Sequence, residues 1–206
     1  MKTKYKICLL AIVTLLIINS SLAASYSLWI ISKPQTGDNL ISSGCFEVAY
    51  NDKDANNEST SVSLLNTYPI SDDKGAAQKP YRVTLTNTCS IDADYKLIIS
   101  ELQDNTLDKD YVRYKLTNSD ETTWGPSAFG NLTEYTMESS IKNDIQNDNG
   151  VQIKNSYLLA TGGLKPQETI TYEFRMWVQE STANSEMNKQ FDALISMDAW
   201  ATNIQS

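Results

Sequence analysis

The sequence predicts an all-β protein, specifically an antiparallel β-sandwich of jelly-roll or immunoglobulin-like type. Three observations lead to this prediction: apolar and polar residues alternate in short segments, turn-forming residues separate these segments at roughly regular spacing, and few stretches have a helical period. No repeat of fixed length and no linker divides the chain. We therefore expect residues 24–206 to form a single domain.

The alternation is clearest between residues 80 and 100. Tyr81, Val83 and Leu85 alternate with polar residues, and the same pattern resumes at Tyr95 after a polar break. The break is rich in residues that turn readily. We interpret the two segments as neighbouring antiparallel strands joined by this turn.

Similar reasoning predicts further strands wherever β-branched and aromatic residues lie between turn signals. These strands are expected at residues 24–32, 45–50, 61–65, 111–116, 156–160, 170–176 and 191–200. The Lys-Pro pair and the polar residues at positions 33–38 are expected to end the first of them. Residues 118–150 form the least regular part of the chain, with one short helix predicted within residues 134–145.

The N-terminus has the features of a secretory signal peptide. Three lysines precede an apolar run at residues 7–18, which is followed by small residues up to Ala23. We predict that residues 1–23 are removed, with cleavage after Ala24 as the second choice. The alternative is an uncleaved anchor, but a run of about 12 apolar residues is shorter than the roughly 20 that a spanning helix needs. The mature protein is therefore predicted to be secreted, at the cell surface or beyond it, with no membrane insertion.

The charge of the chain limits its partners. Its formal net charge is −8, and loss of the three signal-peptide lysines would make this −11. Nucleic acid and anionic lipid would both be repelled by such a surface, so we expect neither as a partner. Divalent cations and basic proteins remain compatible with it.

Cleavage would remove Cys8 and leave Cys45 and Cys89. An exported chain with two cysteines most simply pairs them, and closing this loop would stabilise the fold by about 4 kcal/mol in the chain-entropy model. The alternatives are two free thiols or a bridge between molecules.

The familiar catalytic arrangements are missing from the sequence. The chain has no histidine, which excludes Ser-His-Asp and Cys-His arrangements and the His-Glu-x-x-His zinc motif. A Ser-Lys pair would use a lysine such as Lys96, Lys115 or Lys165, and a pair of carboxylates would use two of the many acids. Scattered acids in an acidic chain are normally solvated surface. We therefore predict that the protein is not an enzyme.

One loop has the spacing of a calcium ligand set. Asp52, Asp54 and Asn56 place oxygen atoms on alternate residues. The loop departs from the EF-hand pattern because Asn57 replaces the turn glycine and Ser63 replaces the bidentate glutamate. A plain polar loop is the preferred interpretation, so no cofactor is expected and calcium is the only alternative.

Aromatic residues suggest a second class of function. Trp124 is followed by Gly125 and Pro126 in the irregular part of the chain, where an exposed ring would stack on a ligand. The other tryptophans of the mature chain lie in predicted strands, where packing on the core is the more common role. Trp124 is thus the candidate contact for a monomeric secreted module that binds carbohydrate or another surface ligand.

The segment at residues 24–32 carries the other functional prediction. A strand that begins at a cleavage site has a free end, so it pairs as readily with the open edge of another molecule's sheet as with its own. Tyr26, Leu28 and Ile30, or Trp29 and Ile31, would then fill pockets between the neighbour's sheets. Such head-to-tail contacts do not close and therefore make fibres. The alternative is that the segment is the protein's own first strand.

Several short motifs along the mature chain occur in the order found in a known family. They comprise Ser27 to Trp29 after the signal peptide, Thr86 to Thr88 at a strand end, a Gly-Leu-Lys-Pro turn at Gly163 to Pro166, Arg175 to Trp177, and a polar loop at residues 180–184. In this layout the chain resembles the exported bacterial biofilm-fibre proteins of the TasA and camelysin type.

The resemblance implies a jelly-roll sandwich at the cell surface or in the matrix, which polymerises by passing its N-terminal strand into the next subunit. It also carries a claim of metallopeptidase activity for some members, which a chain without histidine does not support. We therefore predict a secreted structural protein of the cell surface or extracellular matrix, with copies of itself or other matrix proteins as partners. The monomeric binding module is the alternative.

Overall fold

The computed structural model describes residues 33–34, 40–43, 46–51, 62–65 and 67–201. Two six-stranded antiparallel sheets make up most of this part of the chain, which confirms the predicted all-β sandwich. Several predictions concern residues outside it. These are the signal peptide at residues 1–23, the donor strand with Tyr26, Leu28, Trp29, Ile30 and Ile31, the cysteine Cys45, and the calcium candidates Asp52, Asp54 and Asn56.

The strands follow one another along the chain with few helical segments between them. They are β1 (Lys33–Pro34), β2 (Leu40–Ser43), β3 (Phe46–Asn51), β4 (Val62–Leu64), β5 (Tyr81–Asn87), β6 (Ala93–Leu102), β7 (Val112–Asn118), β8 (Thr123–Ala128), β9 (Thr133–Glu134), β10 (Ile153–Leu164), β11 (Thr169–Val178) and β12 (Phe191–Ala201). Two α-helices are described, α1 (Asp72–Ala76) and α2 (Ser139–Asn149). Short 3₁₀ turns lie at Lys109–Tyr111, Phe129–Asn131 and Asn184–Glu186.

We call the two sheets the first and the second sheet. The first sheet has the order β1-β12-β6-β10-β9, and β4 also pairs with β12. The second sheet has the order β2-β3-β5-β11-β7-β8. Most neighbouring strands are therefore distant in sequence. The described pairs of consecutive strands are β2 with β3, β7 with β8 and β9 with β10.

The prediction that residues 80–100 form two paired strands is wrong. β5 pairs with β3 and β11 in the second sheet, whereas β6 pairs with β10 and β12 in the first. The connection between them crosses from one sheet to the other. Asn87 holds the start of this crossing, because its side-chain amide donates to the carbonyl oxygens of Ile91 and Leu164, both at 2.9 Å. Alternation alone identified each strand, but it carries no information about the strand's partner.

Three smaller predictions need correction. Lys33 and Pro34, expected to end a strand, form β1 and pair with Met197 and Ser196. The predicted helix begins later than expected, at Ser139, and ends at Asn149. The next residue is Gly150, whose positive φ of 64° suits a residue without a side chain. The passage before β5 contains α1, which the turn signals alone did not predict.

The main core lies between the two sheets. Aliphatic and aromatic side chains from both sheets fill it, and several are completely buried, including Val83, Leu97, Leu116, Phe191 and Ile195. The hydroxyls of Tyr95 and Tyr172 meet at 2.8 Å across this core. Burial raises the pKa of both phenols, so each stays protonated and the pair needs no charged partner.

A second, smaller core covers the outer face of the first sheet. Its members come from α2, from the segment just before it and from the strands beneath, and they are Ile98, Leu102, Met137, Ile141, Ile145, Ile153 and Leu194. Burial of each large apolar side chain contributes about 1.5–3 kcal/mol. The described part of the chain thus has three layers, a helix and two sheets. None of its helices is long and apolar enough to cross a membrane.

Candidate functional site

The first candidate site is one side of β12. β6 pairs with β12 along one side from Ala193 to Ala201. On the other side, β4 pairs with residues 191–193 and β1 with Ser196 and Met197. Among the described residues, no strand pairs with Ala199 or Ala201 on this side. We call this stretch the β12 edge, and it directly continues the line of β1.

The side chains along the β12 edge alternate between the two faces of the first sheet. Ala199 and Met197 are buried in the main core. Trp200 lies on the outer face, where the Lys96 ammonium is 5.2 Å from the centre of its ring and 5.1 Å from the ring of Tyr135. The edge therefore offers a small side chain toward the core and an aromatic cluster on the outside.

The β8 edge is less suited to pairing. β8, at one end of the second sheet, contains a cis peptide bond between Gly125 and Pro126, and proline cannot donate a ladder hydrogen bond. At the far side of the first sheet, β9 pairs with Tyr157 and Leu158 of β10.

The second candidate site is a polar cleft where β6 ends and β10 begins. It has a volume of about 400 Å³. Its lining comes from four parts of the chain and consists of Glu101, Asn105, Thr106, Leu107, Asp108, Lys109, Tyr111, Lys154, Asn155, Glu186 and Lys189. We call it the Lys109 cleft.

A buried carboxylate organises this cleft. The side chain of Glu101 is only 2% exposed, and its Oε1 accepts a hydrogen bond from Nζ of Lys154 at 2.8 Å. Its Oε2 accepts hydrogen bonds from Asn155 at 3.2 Å and from the Tyr157 hydroxyl at 3.3 Å. A buried charge with this many partners is fixed in one geometry.

Lys109 extends this network from the other side of the cleft. Its Nζ donates to the Tyr157 hydroxyl at 3.0 Å and lies 5.1 Å from the centre of the Tyr157 ring. This hydrogen bond raises the pKa of Lys109, and the hydrogen bond from Lys154 to Glu101 raises the pKa of Lys154. Both ammonium groups are therefore charged at neutral pH.

Another cleft, of about 430 Å³, lies beside α1 and has a different character. Its guanidinium, that of Arg113, donates to both carboxylate oxygens of Asp72 at 3.2 and 2.7 Å. Asp72 also accepts from Trp177 Nε1 at 3.2 Å. These contacts attach α1 to the second sheet. The guanidinium of Arg113 is therefore already paired with Asp72.

The structure places the predicted contact residue Trp124 differently from the sequence analysis. Trp124 lies in β8, not in an irregular loop, and it is partly buried against the main core. Its ring centre is 6.3 Å from that of Tyr172. An aromatic held in this way presents less of its face to a ligand, and its role in binding stays a prediction.

The described residues test the cysteine and metal predictions only in part. Cys89 is disulfide-bonded, and its partner lies outside the described residues, so the pairing with Cys45 stays a prediction. In the described part of the chain, no group of three or more acidic or cysteine side chains is arranged to hold a metal ion. The calcium candidates Asp52, Asp54 and Asn56 lie elsewhere.

The residues of the Lys109 cleft were not identified from the sequence. Glu101, Lys109, Lys154 and Tyr157 belong to three different segments with no local motif. The acid at Glu101 does stand in an otherwise apolar stretch of β6, which in principle marks a buried charge.

Comparison with known proteins gives little further guidance. No family model matches the sequence, and neither does any curated protein. A solved structure described as "AvmM Catalyzes Macrocyclization in Alchivemycin A Biosynthesis" matches with 11% identity and a TM-score of 0.31, over 65% of this chain and 73% of that chain.

The prediction that the protein is not an enzyme is corrected by this match, because the protein in the solved structure is a catalyst. We therefore do not retain that exclusion. A TM-score of 0.31 carries no argument about the chemistry of this chain, so no activity is transferred from the neighbour.

Proposed function

We propose that the protein is an exported structural subunit of the cell surface or extracellular matrix, which assembles with copies of itself by strand exchange. The observation that carries the proposal is the β12 edge, because it continues the line of β1 and no described strand occupies it. A sheet edge of this kind can pair with a strand of its own chain or of another chain, and strand exchange uses the second arrangement.

The register of β1 indicates where the donor residues would lie. Lys33 is opposite Met197 and Pro34 is opposite Ser196. If the same antiparallel register continues, Ile31 lies opposite Ala199. Directly opposite residues share a face of the sheet, so Ile31 would point toward the main core, where the small Ala199 leaves room for it.

The same register assigns the neighbouring donor residues. Ile30 would lie opposite Trp200 on the outer face, and Trp29 would lie opposite Ala201. Of the two sets of inward-facing residues considered from the sequence, Trp29 and Ile31 are thus favoured over Tyr26, Leu28 and Ile30. A slip of one residue would reverse these faces, so the register is testable.

A disulfide would hold the crossing that precedes β6. Phe46 pairs with Asn87, which brings the start of β3 next to the end of β5. Cys45 directly precedes Phe46, and Cys89 follows Asn87 by two residues. We include the Cys45–Cys89 bridge in the proposal, and peptide mapping without reductant tests it directly.

Cross-linking between molecules tests strand exchange. Ile31→Cys and Ala199→Cys are prepared as separate variants of the chain that starts at Ala24, mixed at high concentration and oxidised. We expect a disulfide between the two chains, because strand exchange brings these positions opposite each other. A double variant carrying both cysteines is the comparison. If it forms the bridge only within one chain, and the mixture of single variants gives no product, the segment is the protein's own strand.

The control for register is Ile30→Cys mixed with Ala199→Cys, where the two side chains would lie on opposite faces and form little product. Negative-stain electron microscopy supplies an independent readout. The chain starting at Ala24 is expected to form fibres on standing, and the chain starting at Lys33 is expected to remain as single particles.

A further inference from the structure

We propose that the Lys109 cleft is a binding site for an acidic sugar, with Lys109 holding the ligand's carboxylate. This inference goes beyond assembly, since the cleft is built by residues that take no part in the β12 edge. It also differs from the sugar site expected at Trp124, which the structure packs against the core.

The lining carries three lysines and three acidic residues, so its formal charge is balanced, and its lysines differ in their partners. Two of these lysines each have a carboxylate partner, Lys154 with Glu101 at 2.8 Å and Lys189 with Glu186 at 2.7 Å. In the described part of the chain Lys109 forms no ion pair, and its hydrogen-bond partner is the neutral hydroxyl of Tyr157. An ammonium carries three donor hydrogens, so Lys109 can bind an anion while keeping this contact.

The network behind Lys109 fixes its position before any ligand binds. The Tyr157 hydroxyl donates to the buried Glu101 carboxylate and accepts from Lys109. Tyr157 is completely buried, so its ring and hydroxyl cannot move aside. A site held in this way loses little conformational entropy when it binds a ligand.

The rest of the lining suits hydroxyl groups. A sugar hydroxyl both donates and accepts, and the cleft presents carboxylates at Asp108 and Glu186 and an amide at Asn155. Tyr111 adds a partly exposed aromatic wall. The volume of about 400 Å³ falls in the range of small-ligand sites and is sufficient for one or two sugar units.

Isothermal titration calorimetry with the mature protein tests the proposal. The probes are an oligomer of galacturonic acid, a neutral glucose oligomer of the same length, and sodium acetate. We expect the acidic oligomer to bind, with an affinity that falls as salt is added, and the other two to bind at least tenfold more weakly. Equal binding of the neutral oligomer, equal binding of acetate, or no binding of the acidic oligomer would overturn the proposal.

Substitutions locate the site. Lys109→Met keeps the aliphatic stem and removes the charge, and we expect affinity for the acidic oligomer to fall about tenfold or more. Lys109→Arg should retain most of it. Lys96→Met is the matched control, since Lys96 also lies 5.1 Å from a tyrosine ring but does not line the cleft. An equal loss in the Lys96 variant would contradict the assignment.

Amide chemical shifts of the unsubstituted protein give a readout that does not depend on the folding of a variant. Titration with the acidic oligomer should shift the resonances of Lys109, Tyr111 and Asn155. Shifts confined to the region of Trp124 would place the sugar site there and refute the inference. Neither result depends on fibre formation, so this proposal and the assembly proposal fail or succeed separately.

Discussion

The outer faces of the two sheets differ in polarity and in how far they are covered. Part of the outer face of the first sheet is apolar and lies under α2, with Ile98 and Leu194 buried in the same cluster as Ile145. The outer face of the second sheet is polar and carries threonine pairs across β5 and β11, such as Thr84 with Thr171 at 3.0 Å. The first sheet is therefore buried on both sides over much of its area, whereas the second is half-buried.

This difference can be followed in individual strands. β5 alternates strictly between buried and more exposed positions, while the last six residues of β6 are all buried. A strand with one wet face gives the two-residue period, and a strand covered on both faces gives a continuous buried run. The same fold thus contains both kinds of strand, and only the first kind is easily recognised in sequence.

The largest effect is expected from breaking the cover of the first sheet. Ile145 is fully buried in the second core, so Ile145→Ala should lower the free energy of unfolding by about 2–5 kcal/mol. Ile91→Ala removes the same atoms from a residue that is 38% exposed and should cost much less. Urea denaturation measures both, and similar costs would show that α2 contributes little to stability.

Helix α1 covers part of the second sheet, and disrupting that cover should have an intermediate effect. Gly75 of α1 packs directly on the ring of Trp177, so a Cβ added there would overlap the ring. Gly75→Ala should lift α1 from the sheet and cost about 1–3 kcal/mol. Tryptophan fluorescence and urea denaturation report it, with the exposed neighbour Lys74→Ala as control. If Gly75→Ala leaves the free energy of unfolding unchanged, α1 accommodates the added Cβ without a loss of stability.

This contrast explains which strands could be predicted from the sequence. β7 and β11 were predicted because Val112 and Phe174 stand in clear alternating patterns with polar neighbours. The partners of β5 and β6 were not, because these strands pair with segments that are distant in sequence, as Val83 of β5 does with Tyr172 of β11. An alternating pattern shows which side chains share a face of the sheet, but it does not show which strands are neighbours.

The sites were harder to predict than the fold for a related reason. The Lys109 cleft depends on a lysine, a glutamate and a tyrosine from separate strands and turns, and each looks like ordinary surface in its own segment. The β12 edge is visible only once β1 and β4 are known to cover part of one side of the strand. Both sites arise from topology, which local sequence does not encode.

A pH-dependent prediction concerns the attachment of α1. The hydrogen bond from Arg113 holds the pKa of Asp72 below its ordinary value. A lowered folded-state pKa gives stability that is present above the unfolded pKa of about 3.9 and lost as pH falls through the folded value. Between about pH 5 and pH 2, Asp72→Asn should therefore lose less stability than the unsubstituted protein. Parallel stability curves for the two proteins would contradict this.

The smallest effect is expected on the open face of the second sheet. The hydroxyls of Thr86 and Thr169 meet at 2.9 Å, but the pair is exposed to water, which replaces either partner. Replacing both by valine keeps the shape and β-propensity, so the free energy of unfolding should change by less than about 0.5 kcal/mol. A loss comparable to that of Ile145→Ala would mean that this face is not a solvated surface and that something covers it.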